Sequence, residues 1–440
     1  MYAYVETFGC QANVRDSENI MGMLAEMGYQ ITSDQSVADI ILFNTCCIRE
    51  KAEQKVFSRL GALRALKQRK PDLIIGICGC MAQQEGMAAL LRRKAGHVDL
   101  LMGTQRLSRL PELIAQIRLS GTFQTDTSET GAPPEENLPS LRRSPYKALV
   151  NITYGCDNYC TYCVVPYVRG RERSRNMDAV LEELRALSRT GIREVTLLGQ
   201  NVNTYGRDLD PSSSFHALIQ AADRIPGLRR VRYLTSHPRD FSRQIIDAIK
   251  ETQHVCRHFH LPVQSGSDRV LEMMNRGYTR DYYLALVEYI RRVFPQATVT
   301  TDFIVGFPGE TDEDFRDTLS LVKEVGFSSA FTFMYSPRKG TPAASMENQI
   351  PLAARKERLA LLMRAQEEAS LAHHTRLKDR VVEVLADEIS GGDGAPCMLS
   401  GKTEGNHSVV FSGEPSMLGE FVPVRITEPQ TWILKGEAVC

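Results

Sequence analysis

The sequence carries no excess of charge of either sign: 53 Lys and Arg stand against 53 Asp and Glu. A generally basic surface is therefore excluded, and a nucleic-acid partner would have to be met by a local patch. No apolar run approaches the roughly 20 residues that a membrane span needs. Residues 1–30 have no basic start followed by an apolar stretch, because Glu6, Arg15, Asp16 and Glu18 interrupt them. A soluble, cytoplasmic protein without a secretory leader or a membrane partner is expected. Repeats of solenoid type are absent. What the chain has in quantity is cysteine, with eleven residues. A reducing cytosol disfavours disulfides and an odd number cannot pair fully, so metal or cluster ligation is the default.

A chain of 440 residues is too long for one ordinary core, and roughly two to four domains are expected. The class is α/β. Residues 1–118 alternate strand-like runs (2–7, 40–43, 73–77) with helical stretches. One of these runs from Asp16, a candidate N-cap, to Gly28, a candidate stop, and another covers 49–67. This alternation predicts a flavodoxin-like parallel sheet. Residues 119–141 are acidic, contain Pro133-Pro134 and have no Lys or Arg, which reads as a linker. Over 142–376 the alternation returns, with candidate strands at 148–153, 194–198, 230–235, 258–263, 298–305 and 330–335 and helices such as 177–188 and 241–250. Six strand–helix units predict a partial (β/α)6 barrel. A long helix is expected over 352–377. Residues 377–440 read as strands (381–386, 408–412, 420–427) with glycine-rich turns, a small all-β barrel.

Cys156, Cys160 and Cys163 follow the strand that ends near Thr153, which places three thiols at the carboxyl mouth of the barrel. Three such thiolates can hold three irons of a [4Fe-4S] cluster and leave the fourth open. A zinc site would need a fourth protein ligand, and no Cys or His lies nearby to supply it. The Cys-x3-Cys-x2-Cys loop resembles that of the radical S-adenosylmethionine superfamily. That resemblance implies S-adenosylmethionine on the open iron and a 5′-deoxyadenosyl radical as its product. It also implies cofactor contacts from Tyr162, from Gln200 in Gly199-Gln200-Asn201, from Gln264, and from Gly306 and Pro308 in the segment ending at Glu310.

A second set of thiols lies at the ends of the N-terminal strands: Cys10, the Cys46-Cys47 pair, and Cys78 with Cys80. The carboxyl ends of parallel strands share one edge, so these thiols can converge on a second cluster. Spacing does not choose Cys46 over Cys47 or Cys80 over Cys78, and buried inert thiols are the plain alternative. Several motifs resemble the methylthiotransferase family over nearly the whole chain. They are Phe8-Gly9-Cys10-Gln11-Ala12-Asn13, Asn44-Thr45-Cys46-Cys47-Ile48-Arg49, residues 164–173 and residues 260–266. Ala12 departs from the family, where methionine is usual. The resemblance implies Cys10, Cys46 and Cys80 as ligands, two [4Fe-4S] clusters, a terminal TRAM domain and S-adenosylmethionine used twice. The branch it points to adds a methylthio group to N6-dimethylallyladenosine in tRNA anticodon loops. The same chemistry on threonylcarbamoyl-adenosine tRNA or on a ribosomal-protein aspartate, and a non-catalytic iron–sulfur RNA-binding protein, are the alternatives. A flavodoxin or ferredoxin as electron donor and a monomeric state complete the expectation.

Arg169, Arg171, Arg173 and Arg175 follow the cysteine loop and form a candidate patch for the phosphates of an anticodon stem-loop. A solvated charged face is the plain alternative. Residues 377–440 hold five basic and ten acidic residues, net −5, so RNA contact there needs a local face such as Lys402, Asn406, His407 and Lys435. His237, His258 and His260 are expected to take core or cavity-lining places rather than to act as ligands. Cys256, Cys397 and Cys440 have no partner pattern.

Overall fold

The computed structural model describes residues 1–47, 50–129, 131, 134–391 and 397–439. Ile48 and Arg49 of the second cysteine motif, Pro133 of the linker and Cys440 lie outside them. In the N-terminal domain, strands β1 (Tyr2–Phe8), β2 (Gln30–Ile31), β3 (Ile40–Thr45), β4 (Ile74–Gly79), β5 (Leu100–Met102) and β6 (Gln124–Asp126) form one parallel sheet in the order β2-β1-β3-β4-β5-β6. That order is flavodoxin-like. Helices α1 (Gln11–Glu26), α2 (Glu50–Arg69), α3 (Met87–Lys94) and α4 (Leu110–Ser120) cover the sheet. One face is sealed by Ile20, Leu24, Leu110 and Ile114, the other by Val56, Leu60 and Leu91. Every residue of β3 and β4 is buried, which is why both read as unbroken apolar runs.

Two expectations change here. Helix α1 begins at Gln11, with Cys10 at its N-cap, so Asp16 is not a cap. Its carboxylate accepts a hydrogen bond from the Arg169 guanidinium at 2.9 Å. Residues 119–141 are not all linker, because α4 runs to Ser120 and β6 extends the sheet beyond β5. The Gln-Thr-Asp edge strand is too polar to show by hydrophobic pattern. Asp126 is held by Arg106 and Arg109.

The second domain has six parallel strands. β7 (Lys147–Asn151), β10 (Glu194–Leu198) and β11 (Arg230–Leu234) form one three-stranded sheet, with the short antiparallel ribbon of β8 (Thr153–Tyr154) and β9 (Arg173–Ser174) between β7 and β10 in the chain. β12 (His258–His260), β13 (Thr298–Val305) and β14 (Ser329–Met334) form the next. A bridge from Val231 to Val255 continues the first toward the second. Among the described residues no pairing joins β14 to β7, so the barrel is open. Its helices are α5 (Val165–Arg169), α6 (Met177–Arg189), α7 (Phe215–Asp223), α8 (Arg243–Lys250), α9 (Asp268–Met273), α10 (Arg280–Val293), α11 (Asp312–Val325) and α12 (Leu352–Thr375). One continuous core runs from Val150 through Phe241, Phe259 and Phe303 to Leu362.

The terminal residues close a five-stranded barrel of β15 (Val381–Gly391), β16 (Cys397–Thr403), β17 (Ser408–Gly413), β18 (Phe421–Pro429) and β19 (Leu434–Ala438). It docks on the starting ends of the parallel strands, opposite the cysteine loop. Arg230 and Arg232 of β11 donate to the carbonyls of Lys402 at 2.9 Å and Thr403 at 2.6 Å, and Lys147 of β7 pairs with Asp387. Glu194 of β10 holds both arginines, at 3.2 and 3.0 Å. No helix among the described residues is long and apolar enough to cross a membrane.

Candidate active site

The cysteine loop leaves β8 through Gly155, whose φ is +73°; a Cβ there would lie 2.0 Å from the Arg171 carbonyl oxygen. Only glycine permits that turn against the returning strand. Cys156 and Cys160 are buried and Cys163 is half-buried. Burial pushes the thiols of Cys156 and Cys163 up to about 12, and the neighbouring cysteines add to the rise. The three therefore sit close enough to feel one another's charge, as three ligands of one cluster would. Among the described residues no three Cys, His, Asp or Glu side chains gather around one shared ion. In a cluster each thiolate takes its own iron.

The loop is held from outside by residues the sequence reading did not single out. Arg276, nearly fully buried after α9, places Nη1 3.3 Å from Cys160 Sγ and from Tyr162 Oη, and donates to the Pro262 carbonyl at 2.6 Å. Asn275 donates to the carbonyls of Asn158 and Tyr159, and Thr161 Oγ1 to that of Met273. A lone arginine after a short helix has no periodic signature, so no local signal marks it. Tyr162 packs beside Met274, Phe307 and Tyr335, which brings the cysteine loop to the Gly306–Pro308 segment.

Gln200, His237 and Gln264 follow the carboxyl ends of β10, β11 and β12, and Asp302 lies on β13 at the level of Gln264, whose amide donates to its carbonyl. Gln200 Oε1, Asn203 Nδ2, His237 Nε2 and Asp302 Oδ1 are buried with no hydrogen-bond partner. Orphaned polar atoms are rare in a folded protein and mark a place for a polar ligand. His237 Nδ1 accepts from the Arg239 amide. Burial, aided by Arg276 and Arg239, drives its pKa down to about 2, so the ring is neutral and the unpartnered Nε2 carries the proton. Thr235 and Gln264 sit at φ +71° and +76° on the same rim, a conformation that side-chain-bearing residues seldom adopt outside functional sites. Gly306 (φ +70°) donates its amide to the buried Glu310, which Arg358 pairs at 3.0 Å. A zwitterionic amino acid bearing an adenosyl group fits this rim of donors, acceptors and aromatic surface.

The N-terminal thiols are brought together by register. Phe8 of β1 faces Thr45 of β3, and Thr45 faces Gly79 of β4, so the chain leaves all three strands at one level. Cys78 lies within β4, fully buried against Ile20 and Leu42, and burial raises its thiol to about 12. Cys80 lies past the strand end and packs with Cys47, Val164 and Val168. The neighbouring Cys47 thiol, then the Arg169 guanidinium, outweighs burial and holds the Cys80 thiol below its ordinary range. Cys46 is buried beside them and Cys10 is exposed. A buried amide network backs the set. Cys10 Sγ donates to Asn13 Oδ1 at 3.3 Å, Asn13 Nδ2 to Asn44 Oδ1 at 3.2 Å, and Asn44 Nδ2 to Ser17 Oγ at 2.9 Å. Gly79 (φ +90°) is required there, since a Cβ would lie 2.4 Å from Asn44 Oδ1.

The four arginines after the loop do not form one exposed patch. Arg171 is exposed and pairs with Asp157 at 3.2 Å, and Arg173 is half-buried. Arg169 and Arg175 are buried, Arg169 on Asp16 and Arg175 on Glu136 and Glu183. The terminal face differs from expectation too. Lys402 is half-buried and turned to its own hairpin, His407 stacks on His373 of α12, and Lys435 pairs with Glu428 at 3.0 Å.

The chain matches the model of the Radical SAM superfamily over residues 150–322, that of the uncharacterized protein family UPF0004 over 2–103 and the TRAM domain over 377–439. It is 50% identical to the tRNA-2-methylthio-N(6)-dimethylallyladenosine synthase of Moorella thermoacetica, with 98% of this chain and 97% of that one covered. It is 49% identical to the protein of the same name from Desulforamulus reducens, covering 99% and 95%. Among solved structures, a radical S-adenosylmethionine methyltransferase from Kitasatospora setae with tryptophan and a cofactor analogue bound superposes with a TM-score of 0.56 at 15% identity, over 78% of this chain and 75% of that one. A cobalamin-dependent S-adenosylmethionine radical enzyme gives 0.52 at 11% identity, over 84% and 56%. At such identities the likeness is one of fold. By its near full-length identity to the curated relatives, the chain belongs to the family of the tRNA-2-methylthio-N(6)-dimethylallyladenosine synthases, which are radical S-adenosylmethionine enzymes.

Proposed function

We propose that this chain converts N6-dimethylallyladenosine in the anticodon loop of tRNA to its 2-methylthio derivative. Cys156, Cys160 and Cys163 would hold one [4Fe-4S] cluster, and Cys10, Cys46 and Cys80 a second. When bound, these groups and S-adenosylmethionine supply radical attack on an unactivated C–H bond and a sulfur to insert there. The chain's own residues bind and orient. Gln200, Gln264 and the protonated Nε2 of His237 offer polar contacts to the amino acid end of the cofactor. Tyr162 and the turn from Gly306 to Pro308 offer a surface to its adenine and exclude water. Arg276 keeps Cys160 and Tyr162 in place. Arg171, with Arg173 beside it, is the basic surface left for RNA phosphate. An electron donor of the flavodoxin or ferredoxin kind and a monomeric chain fit this reading. The modules are 1–126, 142–376 and 377–440, the first lengthened by β6.

The observation that carries this reading is the direct continuity of the two cysteine sets. Val164 follows Cys163, and with Val168 of α5 it packs on Cys47 and Cys80. The relatives named above act on dimethylallyladenosine, which does not favour threonylcarbamoyl-adenosine or a protein aspartate. The test is anaerobic reconstitution, an iron count, and incubation with S-adenosylmethionine, reductant and isopentenylated tRNA. About eight irons per chain and a gain of methylthio mass on the tRNA are expected. About four irons would sink the second cluster, and full loading without mass gain would sink the substrate.

A further inference from the structure

Arg169 ends α5, the five-residue helix that follows the barrel cysteines, yet its side chain belongs to the other domain. The residue is 4% exposed and Asp16 of α1, its only carboxylate partner among the described residues, is 3% exposed. The backbone around it is pinned to the loop after β5: Thr104 Oγ1 donates to the Val168 carbonyl at 2.8 Å and Gln105 Nε2 to that of Arg169 at 3.4 Å. Gly170 (φ +76°) closes the helix where a Cβ would lie 2.5 Å from Gln105 Nε2. The guanidinium lies close enough for its charge to act on the thiols of Cys80 and Cys10, and the segment it ends packs on Cys80 through Val164 and Val168. A guanidinium has five donors, and one carboxylate does not use them all. Asp16 meets part of its charge, and the donors left over face the two thiols across the domain boundary, where thiolates would take them.

We propose that Arg169 is a positioning residue for the N-terminal cluster. Supplied by the barrel domain, it lies beside Cys80 as the counter-charge of the thiolate set, and so it sets the reduction potential of that cluster. Asp16 works against it by drawing the guanidinium away and adding negative charge. This rests on the two-cluster reading above, and it reassigns an arginine that sequence alone directs to RNA.

The test uses the full chain with Cys156, Cys160 and Cys163 replaced by Ala, reconstituted anaerobically, counted for iron and titrated potentiometrically with an electron paramagnetic resonance readout. In that background Arg169→Gln lowers the reduced-to-oxidised ratio about tenfold at a fixed potential, a shift of about 59 mV for one electron. Arg169→Lys retains the parent value. Asp16→Asn moves the ratio the other way, a sign reversal that a purely structural role does not produce, and it remains informative if the glutamine variant fails to fold. Native iron content with unmoved potentials, or shifts of the same sign in the glutamine and asparagine variants, overturns the role of Arg169 alone. An iron-free parent overturns the two-cluster reading and this proposal with it.

Discussion

The two cysteine sets are built in opposite ways. Cys156, Cys160 and Cys163 lie on one eight-residue loop and need only that loop to keep its shape. Cys10, Cys46 and Cys80 sit at the ends of three neighbouring strands and converge only because β1, β3 and β4 pair in one register. A one-residue slip of β3 would turn its side chains to the opposite face and carry Cys46 away. The first set is therefore kept together by the covalent chain itself, with Arg276 and Asn275 pinning the loop from outside. The second depends on the sheet, on the Asn13–Asn44–Ser17 network behind it and on a helix from the other domain.

The comparison can be broken at four places. The largest effect is expected for Cys160→Ala. It should drop iron from about eight to about four per chain and abolish formation of 5′-deoxyadenosine, with the N-terminal set still loaded. Iron analysis with product chromatography decides it; loss of all iron would mean the two sets are not independent. Next, Cys46→Ala and Cys47→Ala should separate ligand from neighbour. Only the first is expected to halve the iron content, and the reverse result would move the ligand to Cys47, whose thiol neighbours Cys80 here.

Third is the seam between the domains. Arg175 and Arg142 reach Glu183 of α6 at 2.7 and 2.8 Å, and Arg15 of α1 reaches it at 3.0 Å. Burial would raise its carboxyl, but these arginines outweigh burial and hold it below the ordinary carboxylate range. Glu183→Ala leaves Arg175 with Glu136 and Arg15 and Arg142 with Glu18, and should cost about 1–3 kcal/mol, read by denaturant unfolding. Because the folded-state pKa is depressed, the advantage of the native chain over Glu183→Gln is present above the ordinary value of 4.5 and fades as pH falls through the folded value. An advantage that grew on acidification would contradict this. The smallest effect is expected for the exposed Arg171. Arg171→Ala should leave unfolding unchanged and reduce the salt slope of tRNA binding by about one. An unchanged slope would remove Arg171 from the interface.

Much of this was legible in the chain. Six barrel strands were readable from short β-branched and aromatic stretches alternating with helical patterns, even though β11 and β13 carry polar residues and β14 is only half-buried, and the loop cysteines because their ligand spacing is local. Other features needed neighbours that the chain does not announce. β6 is polar and looks like linker. Asp16 has the form of an N-cap and is an ion partner. Arg169, Arg171, Arg173 and Arg175 read as one patch, but a loop and the extended β9 turn them to different faces, two of them inward. The terminal barrel seals the starting ends of the strands, so Lys402 serves an intramolecular joint. Arg276 was missed because one arginine is silent until α9 lays it on Cys160.

The sequence by itself determined the class of chemistry, since three thiols within eight residues are held together by the covalent chain in any fold that forms the loop. Tertiary structure decided which of the remaining thiols meet, which arginines stay in water and which domain supplies the charge beside Cys80. Those are outcomes of strand register and of buried charges finding partners across a domain boundary, and neither is written in local spacing.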